Sequence, residues 1–183
     1  FLPVSVAADD PPRMVQSELV SYNYFAMLRV APLLGRTLVA ASDVPQAVIS
    51  EQLWRLRFNR DASIVGRRIR INGREGVITG VAPAGFIGAT QLIRADLWLS
   101  TSWFAELNPA TNATTVPSFG VLGRLAAGAT REQAERELDS LVAGLDRAGL
   151  TAQVDAPDAL GFGAAVRPAV LGGSALLFSL MGL

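Results

Sequence analysis

Apolar and polar positions alternate from the first residues onward. An extended run over 3–7 leads into Asp9, Asp10, Pro11 and Pro12, which is turn chemistry, and 14–19 returns with alternating character, so the spacing predicts a hairpin. Ser21 is placed to cap a short helix with Tyr22, Phe25, Ala26 and Leu28 on its buried side. A connection punctuated by Pro32 and Gly35 follows. Ala47, Val48 and Ile49 read as a short buried strand. Ser50 can then cap a second helix with Trp54 and Phe58 one turn apart, and Asn59, Arg60 and Asp61 end it.

The clearest short-range signal lies just beyond. In Arg68, Ile69, Arg70 and Ile71 the isoleucines point one way and the arginines the other. Asn72 and Gly73 tolerate the positive φ of a type I′ turn, and 77–81 is the returning strand, closed by Pro83 and Gly85.

Another strand is expected over 96–99. The stretch 105–117, rich in Pro, Asn and Thr, reads as an irregular loop or a crossing between subdomains. A glycine-weakened strand is expected over 119–125. Thr130 and Gln133 then form a capping box, and Ala134, Leu138, Leu141, Val142 and Leu145 follow at helical spacing as one apolar stripe suited to a sheet. Gly149 is a plausible stop, with one or two further strands before Arg167. Strands and helices mix without a regular βαβα alternation, so the expected class is α+β.

Composition removes chemistry more than it supplies any. The 183 residues contain no Cys and no His, which excludes a disulfide framework, a thiolate nucleophile, His- or Cys-ligated metal and a Ser-His-Asp triad. Sixteen basic and sixteen acidic residues cancel, so the footprint of a duplex nucleic-acid binder is missing. Charged residues make up only 17%, against about a quarter in an average domain. Part of that shortfall sits at the end: after Arg167, residues 168–183 carry no charge. Sixteen residues are fewer than the roughly 20 that span a bilayer, but they suit the opening of a longer span, with Gly172, Gly173, Ser174 and Gly182 favouring close helix packing. The opening FLPVSVAADD has no basic n-region, so no signal peptide is expected in it.

Chemical candidates are few. No stretch fits a Walker A loop or a dinucleotide fingerprint. Arg67, Arg68, Arg70 and Arg74 form the densest basic cluster; phosphates or lipid head groups could meet it, but the solvent face of an edge hairpin explains it better. Acidic residues fall mostly in turns (Asp9, Asp10, Asp155, Asp158) or on an exposed helix face (Glu132, Glu135, Glu137, Asp139), and nothing pairs them in a pocket. Trp54, Trp98 and Trp103 could stack a sugar or base, yet Trp54 and Trp98 fall inside hydrophobic elements and read as core. No catalytic, cofactor-binding or metal-ligating residue is assigned.

The order of the pieces resembles a known family. Leu19 to Phe25 (LVSYNYF), then Leu28, Pro32, Leu34, Gly35 and Arg36, is similar to the opening signature of the MacB-like periplasmic core domain. Val48, Ile49 and Ser50, Trp54, Arg57 and Phe58, Asp61, Gly66, Ile69, then Ile71, Asn72 and Gly73 follow in order. Val77 and Ile78, Gly80 to Pro83, Phe86, Asp96 to Trp98, Gly123 to Leu125 and Gly128 to Thr130 complete a series spanning about 13–146. The resemblance implies the extracytoplasmic domain of an FtsX-like ABC transporter permease, of the orphan, often duplicated, type. It implies a porter-like α/β part over 1–44 and 117–167, an inserted β-rich part over 45–116, and the beginning of a transmembrane helix over 168–183.

The same resemblance implies a domain of the inner membrane's periplasmic side that relays conformational change for transport or extrusion. Its implied partners are a separate cytoplasmic ABC ATPase, the membrane, and a second permease copy or a periplasmic protein. A passive binding module for peptide, lipid or a partner protein fits the composition as well; an enzyme fits least. Four residues depart from the pattern. Arg29 and Asn59 stand where the family has glycine, Ala62 where it has proline, and Gly76 where an aromatic or apolar strand residue is common.

Overall fold

Alternation in the first twenty residues builds what it promised. Strands β1 (Leu2–Ala7) and β2 (Arg13–Val20) pair antiparallel, with Val4 opposite Val15. The structure, a computed structural model, describes residues 1–40, 42–89, 93–107, 120–143, 151–155 and 175–181. Along the chain come α1 (Tyr24–Leu28), β3 (Leu34–Gly35), β4 (Gln46–Ile49), α2 (Glu51–Arg57), β5 (Arg68–Ile71) and β6 (Arg74–Val81). Then follow β7 (Leu97–Ser100), α3 (Phe104–Leu107), β8 (Gly120–Arg124), α4 (Arg131–Ala143), β9 (Thr151–Asp155) and β10 (Ala175–Met181). The mixture of strand and helix agrees with the expected class.

Six strands close on themselves. The sheet order is β3-β6-β4-β7-β2-β1-β5, and β5 pairs again with β6. Val77 of β6 faces Gln46 of β4 across one edge and Arg68 of β5 across the other, so the ring β6-β4-β7-β2-β1-β5 is complete. A closed ring leaves no row of unpaired backbone groups along those strands. Strands β1 and β2, from the stretch assigned to a porter-like part, therefore share one sheet with β4–β7, and no sheet boundary falls near residue 45.

Alternation divides the apolar residues between two faces. Inside the ring lie Val4, Val6, Ala47, Ile49, Ile69, Ile71, Ile78, Leu97 and Leu99. Outside, Val48 and Trp98 from the same central strands join Val20, α1 and Phe86 in a second cluster. Strands β4 and β7 are buried on both faces, which is why they read as continuous apolar runs rather than alternating ones.

Local signals hold with small shifts. Ser50 caps α2 by accepting the Leu53 N–H at 3.0 Å. Asn72 (φ 49°) and Gly73 (φ 82°) form the turn between β5 and β6. Thr130 and Gln133 exchange backbone and side-chain hydrogen bonds as the capping box requires. Ser21, however, does not cap α1: its hydroxyl donates to Asn23, the helix begins at Tyr24, and Tyr22 is left exposed. Leu141 also departs from the expected buried stripe and is exposed.

The four departures from the family pattern have local explanations. Arg29 ends α1 at φ 58° and Asn59 follows α2 at φ 49°, so both occupy left-handed positions where glycine is the unstrained choice. Asn tolerates that conformation; Arg does so less readily. Ala62 opens a 3-10 turn capped by Asp61, where proline also fits. Gly76 is required by proximity, because a Cβ there would come within 2.9 Å of the Pro45 carbonyl. Arg29→Gly is expected to raise stability by about 0.5–1 kcal/mol, the relief of left-handed strain less the entropy glycine adds to the unfolded chain. Urea denaturation checks it, and an unchanged or lower midpoint would refute the strain.

A second sheet has the order β8-β10-β9, both outer strands antiparallel to β10. Its central strand is Ala175–Met181, so the helical opening expected over 168–183 is not shown among the described residues. An uncharged run of Leu and Phe satisfies either a helix or a buried strand, since periodicity alone does not separate them. Among the described residues no helix is long and apolar enough to cross a membrane. Most of the 105–117 loop, Leu145, Gly149, and every strand expected before Arg167 other than β9 lie outside the described residues.

Candidate functional site

The outer face of the barrel carries the most unusual chemistry. On β2, Glu18 shares the phase of Val20 and so points outward from the ring, level with Trp98 of the parallel neighbour β7. Its carboxylate accepts the Trp98 Nε1–H at 2.7 Å and the Tyr24 hydroxyl at 3.1 Å. The Tyr24 oxygen in turn accepts the Ala89 N–H at 2.7 Å. Gly88 lets this loop come close, because a Cβ there would strike Glu18 Oε2. Phe25, Phe86 and Trp98 enclose the group with ring centroids 4.9–5.7 Å apart.

Among the described residues no cationic side chain forms an ion pair with this carboxyl group. Enclosure pushes the Glu18 carboxyl above its usual range, opposed by the hydrogen bonds from Trp98 and Tyr24. The Tyr24 phenol is raised well above its ordinary value, chiefly by burial and then by the adjacent carboxylate, and stays neutral. Acid, phenol and indole are all turned toward one another, so the arrangement fixes α1 to the barrel instead of presenting a reactive group. Glu18 lies outside the turns and the helix face where most other acidic residues fall, and its sequence signal is its place two residues before Val20, on the outward phase of β2.

A cavity of about 300 Å³ lies at one end of β4 and β7, lined by Val39, Ser42, Gln46, Ser100, Ser102, Trp103 and Glu106. The buried Gln46 uses its side-chain oxygen internally, accepting from the Val39 N–H at 3.1 Å and Arg36 Nη1 at 3.3 Å. Trp103 thus borders a cavity, Trp98 is fully buried, and Trp54 packs against the barrel core while donating to the Asp61 carbonyl.

The basic cluster divides. Arg67 is ion-paired with Asp9 and Arg68 with Glu75 at 2.7 Å, whereas Arg70 and Arg74 are exposed on the hairpin. Arg67 also lies over the Phe58 ring, 5.6 Å from its centroid. Among the described residues no group of three His, Cys, Asp or Glu gathers as a metal site.

The second sheet meets the barrel side at α1. Leu122 of β8 packs on the outer apolar cluster to which α1 contributes Tyr24, Phe25 and Leu28, and the Arg124 guanidinium donates to the Met27 carbonyl at 3.0 Å. Residues 3–141, running from β1 into α4, match the model of the MacB-like periplasmic core domain. The chain belongs to that family.

One solved structure agrees at the level of fold. The periplasmic region of MacB from Actinobacillus actinomycetemcomitans is 16% identical, with a TM-score of 0.53 over 79% of this chain and 63% of that one. The extracellular domain of the noncanonic ABC-type transporter YknZ from Gram-positive bacteria is 13% identical (TM-score 0.46, 61% of this chain and 56% of that one). A domain of a putative permease protein from Porphyromonas gingivalis is 18% identical (TM-score 0.48, 100% and 76%). The core domain thus spans less than two thirds of the YknZ and MacB chains it matches. No curated protein matches it.

Proposed function

We propose that this core domain relays conformational change for transport or extrusion, performing no chemistry of its own. In this reading ATP hydrolysis on a separate cytoplasmic ATPase moves the membrane part of the permease, and the two sheets shift relative to one another in response. The permease sits in the inner membrane with this domain outside the cytoplasm, working with a second permease copy or a periplasmic protein. Family membership supports the reading. The observation that carries it is the contact between the sheets at α1, where Arg124 of β8 donates to the Met27 carbonyl and Leu122 packs on the apolar cluster that α1 joins. A closed barrel is a stiff body, and a neighbouring sheet tied to it through α1 moves against it as a unit in this reading.

A distance measurement tests this. In the full-length permease assembled with its ATPase, spin labels are placed at Arg74→Cys on the barrel hairpin and Val121→Cys on β8, any other cysteine in the full chain being replaced. Both positions are exposed, and the 183 residues contain no competing thiol. The label-to-label distance distribution is expected to shift between the nucleotide-free and ATP-trapped states. A passive binding module would show one distribution in both, and that result would end the relay reading.

A further inference from the structure

Helix α1 has only five residues, too few to be stable alone, so its position depends on what holds its ends. At its start, Tyr24 is tied to the barrel by its hydroxyl, which donates to the Glu18 carboxylate on β2 and accepts from Ala89. At its finish, the helix leaves carbonyls that its own backbone cannot satisfy. The Phe25 and Ala26 carbonyls accept the N–H groups of Val30 and Arg29. The Met27 carbonyl instead accepts Arg124 of β8 through Nη2 at 3.0 Å and Nε at 3.4 Å. A cationic donor at a helix C-terminus meets partial negative charge and makes a charge-assisted bond. Leu122, two residues earlier on the same strand, packs on the outer apolar cluster that α1 shares with the barrel.

One short helix is therefore held from both sides, its first residue by the barrel and its last turn by the second sheet. We propose that α1 is the coupling strut between the two sheets, with Tyr24 and Arg124 as its positioning residues. The inference rests on the relay reading and names the element that carries the movement. Neither residue reacts with anything; each acts by fixing where α1 sits. Gly123, Arg124 and Leu125 stood out in the sequence only as a match to the family pattern, and the strut gives Arg124 a task.

The spin-label pair at Arg74→Cys and Val121→Cys, in the same full-length assembly, is combined with Tyr24→Phe, Arg124→Gln, and both together. Each single variant is expected to cut the ATP-dependent shift in mean distance at least twofold, with the nucleotide-free distribution broadened. The double variant is expected to do no more than the stronger single one, because a strut freed at one end already transmits nothing. Arg124→Lys, which keeps a cationic donor, is expected to recover part of the shift. Thermal melting separates coupling from folding: a variant that melts with the parent yet has lost the shift supports the strut. A normal shift in both single variants overturns the strut while the relay stands. Additive losses overturn it as well, since they mean two independent contacts. A parent protein with no shift at all overturns the relay itself.

Discussion

Gly80→Ala is expected to lower stability by about 3 kcal/mol, the upper end of what overpacking a close-fitted site costs. For a chain of this size that corresponds to a melting temperature lower by roughly 6–12 °C. Gly80 lies on β6 where β3 and β4 flank it on opposite edges, paired with Gly35 and Val48. A Cβ at this position would collide with the Arg36 carbonyl and stand 2.8 Å from the Leu34 carbonyl. Both obstacles are backbone, so no side chain can rotate away, and β3 has to leave β6. The bonds at risk flank the site: Leu33 N–H to the Val81 carbonyl at 2.7 Å and Arg36 N–H to the Thr79 carbonyl at 2.9 Å. Gly73→Ala supplies the contrast. That glycine has φ 82° with nothing within 4 Å of a Cβ, so only left-handed strain applies, about 1 kcal/mol. Thermal melts of both variants decide the matter. A loss at Gly80 no larger than that at Gly73 would mean that β3 yields to the added methyl and its close approach does not govern the site.

Signals that reach across a few residues were legible in the chain, and closure over long separations was not. The isoleucine–arginine alternation of β5 and the Asn72–Gly73 turn specify their hairpin locally, and Ile69 and Ile71 are buried as that alternation demands. The pairing of β1 with β5, which completes the ring, joins Val6 to Ile71 and leaves no trace in spacing. The chain therefore shares one sheet between β1 and β2 and the strands that follow residue 45, a continuity that no local pattern announces. Helix α1 was placed two residues early because Ser21 looked like a cap, and the shift put Tyr22 on the buried face that Tyr24 occupies. The apolar run of β10 carries no charge and no clear period, and such a stretch has the same composition in helix and strand. At the strut the sequence offered both ends, Tyr24 and Arg124, without their connection. A backbone carbonyl as partner has no sequence signature, so the tie between positions 27 and 124 becomes visible only in three dimensions.

Glu18→Leu and Glu18→Gln are expected to move stability in opposite senses, and their pH dependence separates the causes. Leucine leaves the Trp98 N–H and Tyr24 O–H without an acceptor inside an enclosed site; an unpaired buried donor costs about 1–3 kcal/mol, so the pair costs roughly 2–6 kcal/mol. Glutamine keeps an acceptor for both donors and removes the enclosed charge. Because the folded chain holds the Glu18 carboxyl above the ordinary 4.5, the folded state keeps a proton that the unfolded state has already released. Stability from this group is therefore fully present below about pH 4.5, the unfolded value, and is lost as pH rises through the higher folded value. Tyr24 acts in the same direction at alkaline pH, where the unfolded phenol ionises before the folded one. Asp10 has the opposite sign: its hydrogen bond to Arg57 lowers its carboxyl, so its contribution is present at neutral pH and disappears on acidification. Subtracting the parent's urea midpoints from those of Glu18→Gln across pH 3–8 cancels the Asp10 contribution. The difference is expected to be smallest at acid pH and to grow in favour of Gln as pH rises above 4.5. A flat difference, or one that grows toward acid, would show that the Trp98 and Tyr24 donors outweigh enclosure and hold Glu18 as a carboxylate at no cost to the fold.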